Sequence, residues 1–392
     1  MITPSHEHTP RKVPYRFWER VGEAGADLWV KTRGLLRRFF VFLETWLTSS
    51  SKNTYGVSVA RMGLGATALL LLVANFQTRL YSFGSGIVWS GERINPVSDF
   101  PKIPLFSAFY AASLNDGAFT ALYVVLMALC VVVILGYRMK VTLIVFGVLW
   151  VSFIEVTDFI GDQGDNIFRM AIIAMLFMDT SAVWSLDARR RDRFSHRASG
   201  VWGALRYDCL FPAWMRNTAH NLGLVVLTCQ ISFIYVAGSL YKAGGRPWFA
   251  GEAIYSPIHV GQFGTWPLLS DIVTAWDPIV GALTYGALLT QLSFPFLLLN
   301  TWTRKIGIIA ITGTHVGIGI IMGLPFFSLT MIALDMIFVT NTSWRIITEW
   351  FKNHFGVTSD RVFRAHGEHV NPPGHGGVHP AKNVSDHELT TR

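Results

Sequence analysis

Eight apolar runs divide this chain, at about 57–78, 117–137, 141–158, 166–185, 219–241, 278–300, 305–322 and 325–342. Each approaches the roughly 20 residues that an α-helix needs to cross a bilayer, although the third and the last two are short. The pattern predicts an all-α, polytopic transmembrane bundle of about eight helices. Two long intervals, about 79–116 and 242–276, are rich in Gly, Pro and aromatic residues and carry few charges. That composition suits folded loops capping the bundle at the interface better than disordered spacers.

The ends of the chain follow other patterns. Residues 28–48, "LWVKTRGLLRRFFVFLETWLT", mix aromatic and aliphatic positions with Lys31, Arg33, Arg37 and Arg38. They read as an amphipathic helix on the inner leaflet, while an ordinary cytoplasmic helix packed on the bundle fits the same spacing. Residues 1–54 are thus expected to form a cytoplasmic N-terminal region, and 55–345 the membrane domain. The early residues are polar and basic without the apolar core of a signal peptide. Residues 346–392 contain "HGEHVNPPGHGGVHP" and read as a His/Gly/Pro-rich tail of disordered, cytoplasmic composition. Its spaced histidines have no evident second shell, so no metal site is expected. No internal repeat stands out, which argues against a transporter built from repeated halves.

Composition sharpens this picture. The chain is 51% hydrophobic and 15% charged, against about 25% charged in a typical soluble domain. A net charge of +8 would suit a nucleic-acid partner, but the distribution of that charge points to the lipid bilayer instead. With the N-terminus inside, the cytoplasmic segments hold 26 of the 33 Lys and Arg residues. The outer segments hold five: Arg79, Arg93, Lys102, Lys242 and Arg246. This positive-inside pattern predicts a multi-pass cell-membrane protein with both termini cytoplasmic. No nucleic-acid partner is expected. Cys130 and Cys229 fall in apolar runs and Cys209 in a cytoplasmic loop, so no exported disulfide is implied.

Ionisable residues inside apolar runs are costly and mark either function or a buried pair. They fall into two layers. Arg61, Asp179 and Asp335 lie toward the inner side, where an ion pair between Arg61 and either aspartate accounts for them structurally. Toward the outer side lie Glu155, Asp158, Asp162, Asp165, Asn166 and Arg169, with Lys242 and His315 at similar depth. Asp165 and Asn166 stand where the fourth helix should begin, so they can cap its free N–H groups. Arg169, one turn deeper, is not needed for capping; Asp165 is expected to face it. Tyr235, Gly238, Ser239 and Lys242 share a helix face by their spacing of three and four. Lys242 either snorkels to headgroups or faces an apolar pocket, where desolvation favours a neutral amine able to take a proton.

The segments "YVAGSLYKAGGRPWFAGEAIY" and "THVGIGIIMGLPFFSLTMIALDMIF" resemble the membrane core of vitamin K-dependent gamma-carboxylases. They resemble more closely the bacterial HTTM-domain proteins related to those enzymes. The likeness rests on Ala237, Gly238, Lys242, Trp248 and Gly251, on His315, Phe327 and Ser328, and on Gly164, Asp165 and Asn166, and spans about 55–345. It implies a quinol-dependent carboxylase or epoxidase acting on an exported peptide or small substrate, with a reduced naphthoquinone as cofactor. Lys242 would be the base, His315 its hydrogen-bonding partner and Asn166 an orienting group. Tyr235, Tyr241 and Trp248 would line the quinone site. Together "GDQGDN", Lys242 and His315 are expected to wall one outer pocket of about 300–1,000 Å³. Three departures separate this chain from the carboxylases. Asp165-Asn166 replaces Asn-His, the Gly-to-Lys spacing is one residue longer, and the large outer C-terminal region has no counterpart. The resemblance therefore also suits a non-catalytic maturation or scaffold partner for a secreted peptide, working with a small partner protein.

Overall fold

A computed structural model describes residues 16–91, 98–157, 160–194 and 211–355, and among these there is no strand. The principal helices are α1 (Arg16–Thr48), α2 (Thr54–Ala74), α3 (Asp116–Leu135), α4 (Met139–Ile154) and α5 (Gln163–Phe177). They continue as α6 (Ala213–Ala243), α7 (Asp277–Leu297), α8 (Thr301–Ile321), α9 (Pro325–Asp335) and α10 (Asn341–Phe355). Asp158, Arg93, Cys209 and most of the His-rich tail lie outside the described residues.

Local chemistry sets where these helices start and stop. The Asn115 side chain accepts from Ala118 N at 3.0 Å to open α3, and Asn300 accepts from Trp302 N at 2.9 Å to open α8. Each meets an N–H that the helix itself cannot satisfy. Pro325 starts α9, where a missing N–H costs nothing. Gly136 closes α3 in the left-handed region, at φ 68°.

Helix α2 lies between α3 and α9, α6 packs on α5 and α7, and α8 packs on α7 and α9. Small residues permit these approaches. A Cβ on Gly63 would lie 2.6 Å from the Ala333 methyl, and one on Gly65 would lie 2.9 Å from Ile134. The 79–116 loop folds back onto the bundle. Its Phe109 is buried with ring centroids 5.4 Å from both Phe119 and Phe153, and its N–H donates to Ser152 Oγ at 3.0 Å. The 242–276 loop is tied down where Tyr285 Oη donates to the Phe249 carbonyl at 2.7 Å. Both loops cap the bundle.

Each of the eight expected apolar runs contains a helix, and five of the helices (α2, α3, α6, α7 and α8) are long and apolar enough to cross a membrane. Helix α4 is shorter, at 16 residues. Helix α9 continues as a single 3-10 turn, then the chain bends by 108° into α10. Helix α5 was expected to run to residue 185 but stops at Phe177, where Met178 turns extended at ψ 154°.

That early stop explains Arg61. Its Nε donates to Thr180 O at 2.9 Å, Nη2 to Trp184 O at 3.0 Å, and Nη1 to Ile134 O at 2.7 Å and to Val133 O. A fully buried guanidinium thus satisfies carbonyls freed at the end of α3 and in the irregular segment after α5. The ion pair expected between Arg61 and Asp179 or Asp335 is not formed. Asp179 Oδ1 instead accepts from Ser181 N at 3.3 Å. Sequence counts charges but not freed carbonyls, and here the carbonyls supply the arginine's partners.

Candidate functional site

The polar groups of α6, α8 and α9 meet in the interior. Tyr235 Oη donates to Asp335 Oδ2 at 2.7 Å and lies 3.1 Å from His315 Nε2. All three side chains are buried; Asp335 is 0% and His315 1% exposed. With the phenol proton directed at Asp335, His315 Nε2–H donates to the phenol oxygen. The Nδ1 atom of that tautomer is then an acceptor. Among the described residues it has no hydrogen-bond partner, and neither does Asp335 Oδ1. Buried polar atoms are rarely left so.

Aromatic rings hold this chain of groups in place. Phe294 meets Tyr235 edge-on at 5.1 Å, and Phe327 meets His315 edge-on at 5.6 Å. Ser328, the residue after Phe327, is also buried with an unpartnered hydroxyl. Gly319 admits it, because a Cβ there would come within 3.2 Å of Ser328 Oγ.

Lys242 stands two turns along α6 from Tyr235, on the face predicted from the spacing. Its Nζ donates to Gln291 Oε1 at 2.9 Å and lies 5.2 Å from the Trp248 ring centroid. Between Tyr235 and Lys242, Ser239 is buried and donates to the Leu288 carbonyl at 3.3 Å. Lys242 therefore turns toward α7 and Trp248. Tyr241 does not join this site: at 88% exposed it points away from the bundle.

The "GDQGDN" stretch opens α5 with a capping box. Asp162 Oδ1 accepts from Gly164 N at 2.6 Å, and Asp165 Oδ2 accepts from Asp162 N at 3.1 Å. Asp165 is thus engaged with the backbone and does not pair with Arg169 as expected. Arg169 forms its ion pair with Glu155 and donates to Asn166 Oδ1 at 2.6 Å. Asn166 is exposed and directed at Arg169. The link from this stretch to His315 runs through packing: a Cβ on Gly164 would fall 3.2 Å from the Phe327 Cα. Phe327 in turn carries the His315 ring.

The structure thus brings Tyr235, His315 and Asp335 into direct contact, sets Lys242 two turns further along α6 with Gln291 and Trp248 as its partners, and leaves Tyr241 and Asn166 outside that contact. An apolar groove of about 460 Å³ runs between α5 and α6, lined by residues such as Met170, Phe177 and Trp214. None of Lys242, His315 and Asn166 lines it, so it is not the expected pocket. Asp335 was assigned to the inner layer, yet the length of the Tyr235 side chain joins it to His315. Ser328 and Asp335, seven residues apart, share a face of α9, and that spacing was the available signal. Gln291, an amide within an apolar run, was overlooked. Among the described residues no group of three His, Cys, Asp or Glu side chains is placed to hold a metal ion.

The family model of the HTTM domain matches residues 57–344. No curated protein and no solved structure matches the chain. The matched segment covers most of the chain, from the first turn of α2 into α10, and includes every residue of the site. This multi-pass, all-helical membrane protein belongs to the HTTM family.

Proposed function

We propose that this protein is a membrane enzyme of the gamma-carboxylase type, using a reduced quinone on an exported peptide or small substrate. The observation that carries the reading is the unpartnered Nδ1 of buried His315, held by Tyr235 and Asp335 beside Lys242. The donor set fits a quinol: a buried acceptor for its hydroxyl, a cation for its ionised oxygen, and the rings of Trp248 and Phe327 for its face. A bound naphthoquinol would supply the reducing equivalents for oxygen chemistry and the strong base that removes a substrate proton. His315 Nδ1 and Lys242 would accept a proton at the outer end of α6. Asp335, acting through Tyr235, would keep the imidazole in the tautomer that leaves Nδ1 free. The positive-inside distribution supports an orientation with this end outside and both termini in the cytoplasm.

The test is to purify the protein in mild detergent, identify co-purified quinones by mass spectrometry, and follow oxygen uptake with added naphthoquinol. Retained quinone and quinol-dependent uptake are expected. His315→Ala and Lys242→Ala should lower uptake by about 100-fold or more, as for loss of an acid–base group. Absence of both signals in the wild-type protein would refute the enzyme.

A second reading, a maturation or scaffold partner of a secreted peptide, draws on the exposed Tyr241 and Phe249 around the same loop. Lys242→Arg discriminates the two. A scaffold keeps its partner with arginine there, whereas proton transfer through an always-charged guanidinium fails.

A further inference from the structure

We propose that α1 and α10 form a collar that binds an anionic lipid surface at the end of the bundle where α2 begins. Both helices are fixed to that end. Asn221 on α6 accepts from Lys52 N at 2.9 Å and donates to the carbonyls of Leu47 at 2.8 Å and Ser50 at 2.9 Å. His220 beside it contacts the Lys52 carbonyl at 2.6 Å through Nε2. Asn53 Nδ2 donates to Ile337 O at 3.0 Å, and Asn341, the first residue of α10, accepts from Tyr55 N at 3.2 Å. Helix α10 then leaves α9 at 108°, so it cannot continue through the membrane along the direction of α9.

Beyond its anchored C-terminal end, α1 is exposed on every side from Gly25 to Thr45. Leu28, Leu35, Leu36, Phe39, Phe40 and Phe42 are among its exposed residues; Leu28 is 68% and Phe42 64% exposed. At 100° per residue these six share an arc of roughly 160°. An apolar face of that length is not left in water. Lys31, Arg33, Arg37 and Arg38 occupy the remaining arc, and residues 28–43 contain no acidic side chain. Among the described residues, Arg33, Arg37 and Arg38 have no acidic partner within ion-pair distance. Helix α10 is amphipathic too, with Ile346 and Trp350 exposed on one face and Arg345, Glu349 and Lys352 on the other, so α1 carries most of the unpaired positive charge.

Charge selects the occupant. A second copy of α1 would have to accommodate two sets of unpaired basic residues at its rims. An anionic leaflet takes the rings and aliphatic chains among its acyl chains while its headgroups meet the arginines. The proposal does not depend on quinone chemistry, so the two can fail separately.

The test uses the full chain in nanodiscs of phosphatidylcholine, alone or with added phosphatidylglycerol, read by hydrogen exchange of residues 28–43. Protection is expected to be greater in the anionic discs, to shrink as salt rises, and to fall roughly fivefold for each of Arg33→Gln, Arg37→Gln and Arg38→Gln. The triple lysine variant at these positions should keep it. Unchanged exchange of α6 amides checks that each variant is folded. Equal protection in both lipids, unaltered by the glutamines, overturns the proposal. So does protection that grows with the number of copies per disc and is accompanied by cross-links between Phe39→Cys chains, which identifies a second copy as the occupant.

Discussion

Arg61 shows how one side chain can stabilise two helix ends at once. A charged donor in hydrocarbon is expensive, yet the guanidinium meets four carbonyls at once, and among the described residues only Val133 O and Thr180 O also accept from other donors, Gly136 N at 3.2 Å and Ser58 Oγ at 3.4 Å. A hydrogen bond to a charged group contributes roughly 1.5–3 kcal/mol, and the loss of several is not additive. Arg61→Ala should therefore destabilise the protein by about 3 kcal/mol or more. Lysine, with a single ammonium instead of a planar fork, should restore only part of this. Thermal unfolding in detergent measures the order wild type, Arg61→Lys, Arg61→Ala; an alanine variant that melts with the wild type would remove Arg61 from this role. Tyr235 acts at the same scale with a different outcome. Its phenol satisfies one atom each of His315 and Asp335 and, among the described residues, leaves one atom of each open to a further partner.

At the scale of elements, hydropathy located each helix, whereas cap chemistry and the chain's own interruptions fixed their lengths. Helix α5 illustrates both. Its apolar run continues past residue 177, but "MDTS" ends the helix, and Lys140 Nζ donates to the freed carbonyls of Leu176 and Met178 at 2.8 Å each. Neither partner is near the other in sequence, so no local pattern announced the break. The opposite end was legible to within about one helical turn: capping was expected at 165–166, and the cap is Asp162 with Asp165 completing the box. Asp162→Ala should cost about 1 kcal/mol, within the usual range of 0.5–2 for a lost N-cap. Because Gly164 beside it supports Phe327, the same variant should loosen the His315 ring as well. Hydrogen exchange at residues 164–168 and the His315 side-chain resonances would register these changes. An N-terminus of α5 as protected as in the wild type would show the cap to be dispensable.

At the scale of the whole molecule, two asymmetries coincide. The basic residues gather at one end of the bundle, where α1 and α10 attach and where Arg61 and Lys140 cap helices. The unpartnered acceptors of His315 and Ser328 lie toward the other half, with Lys242 and the 242–276 loop. The first asymmetry could be read directly from sequence, since loop charge is additive. The second could not, because it depends on which side chains of α6, α8 and α9 reach one another. If the basic end faces the cytoplasm, as the positive-inside rule predicts, substrates would reach the Lys242 end from outside. Cysteines introduced at Ser49 and at Gln262, both exposed, and probed with a membrane-impermeant thiol reagent decide this. Reagent added outside intact cells should label the Gln262 site and spare the Ser49 site, with the pattern reversing in inverted vesicles. Labelling of Ser49→Cys from outside would invert the protein and place the Tyr235–His315–Asp335 site on the cytoplasmic half. An exported peptide could then no longer be its substrate, even if quinol chemistry were retained.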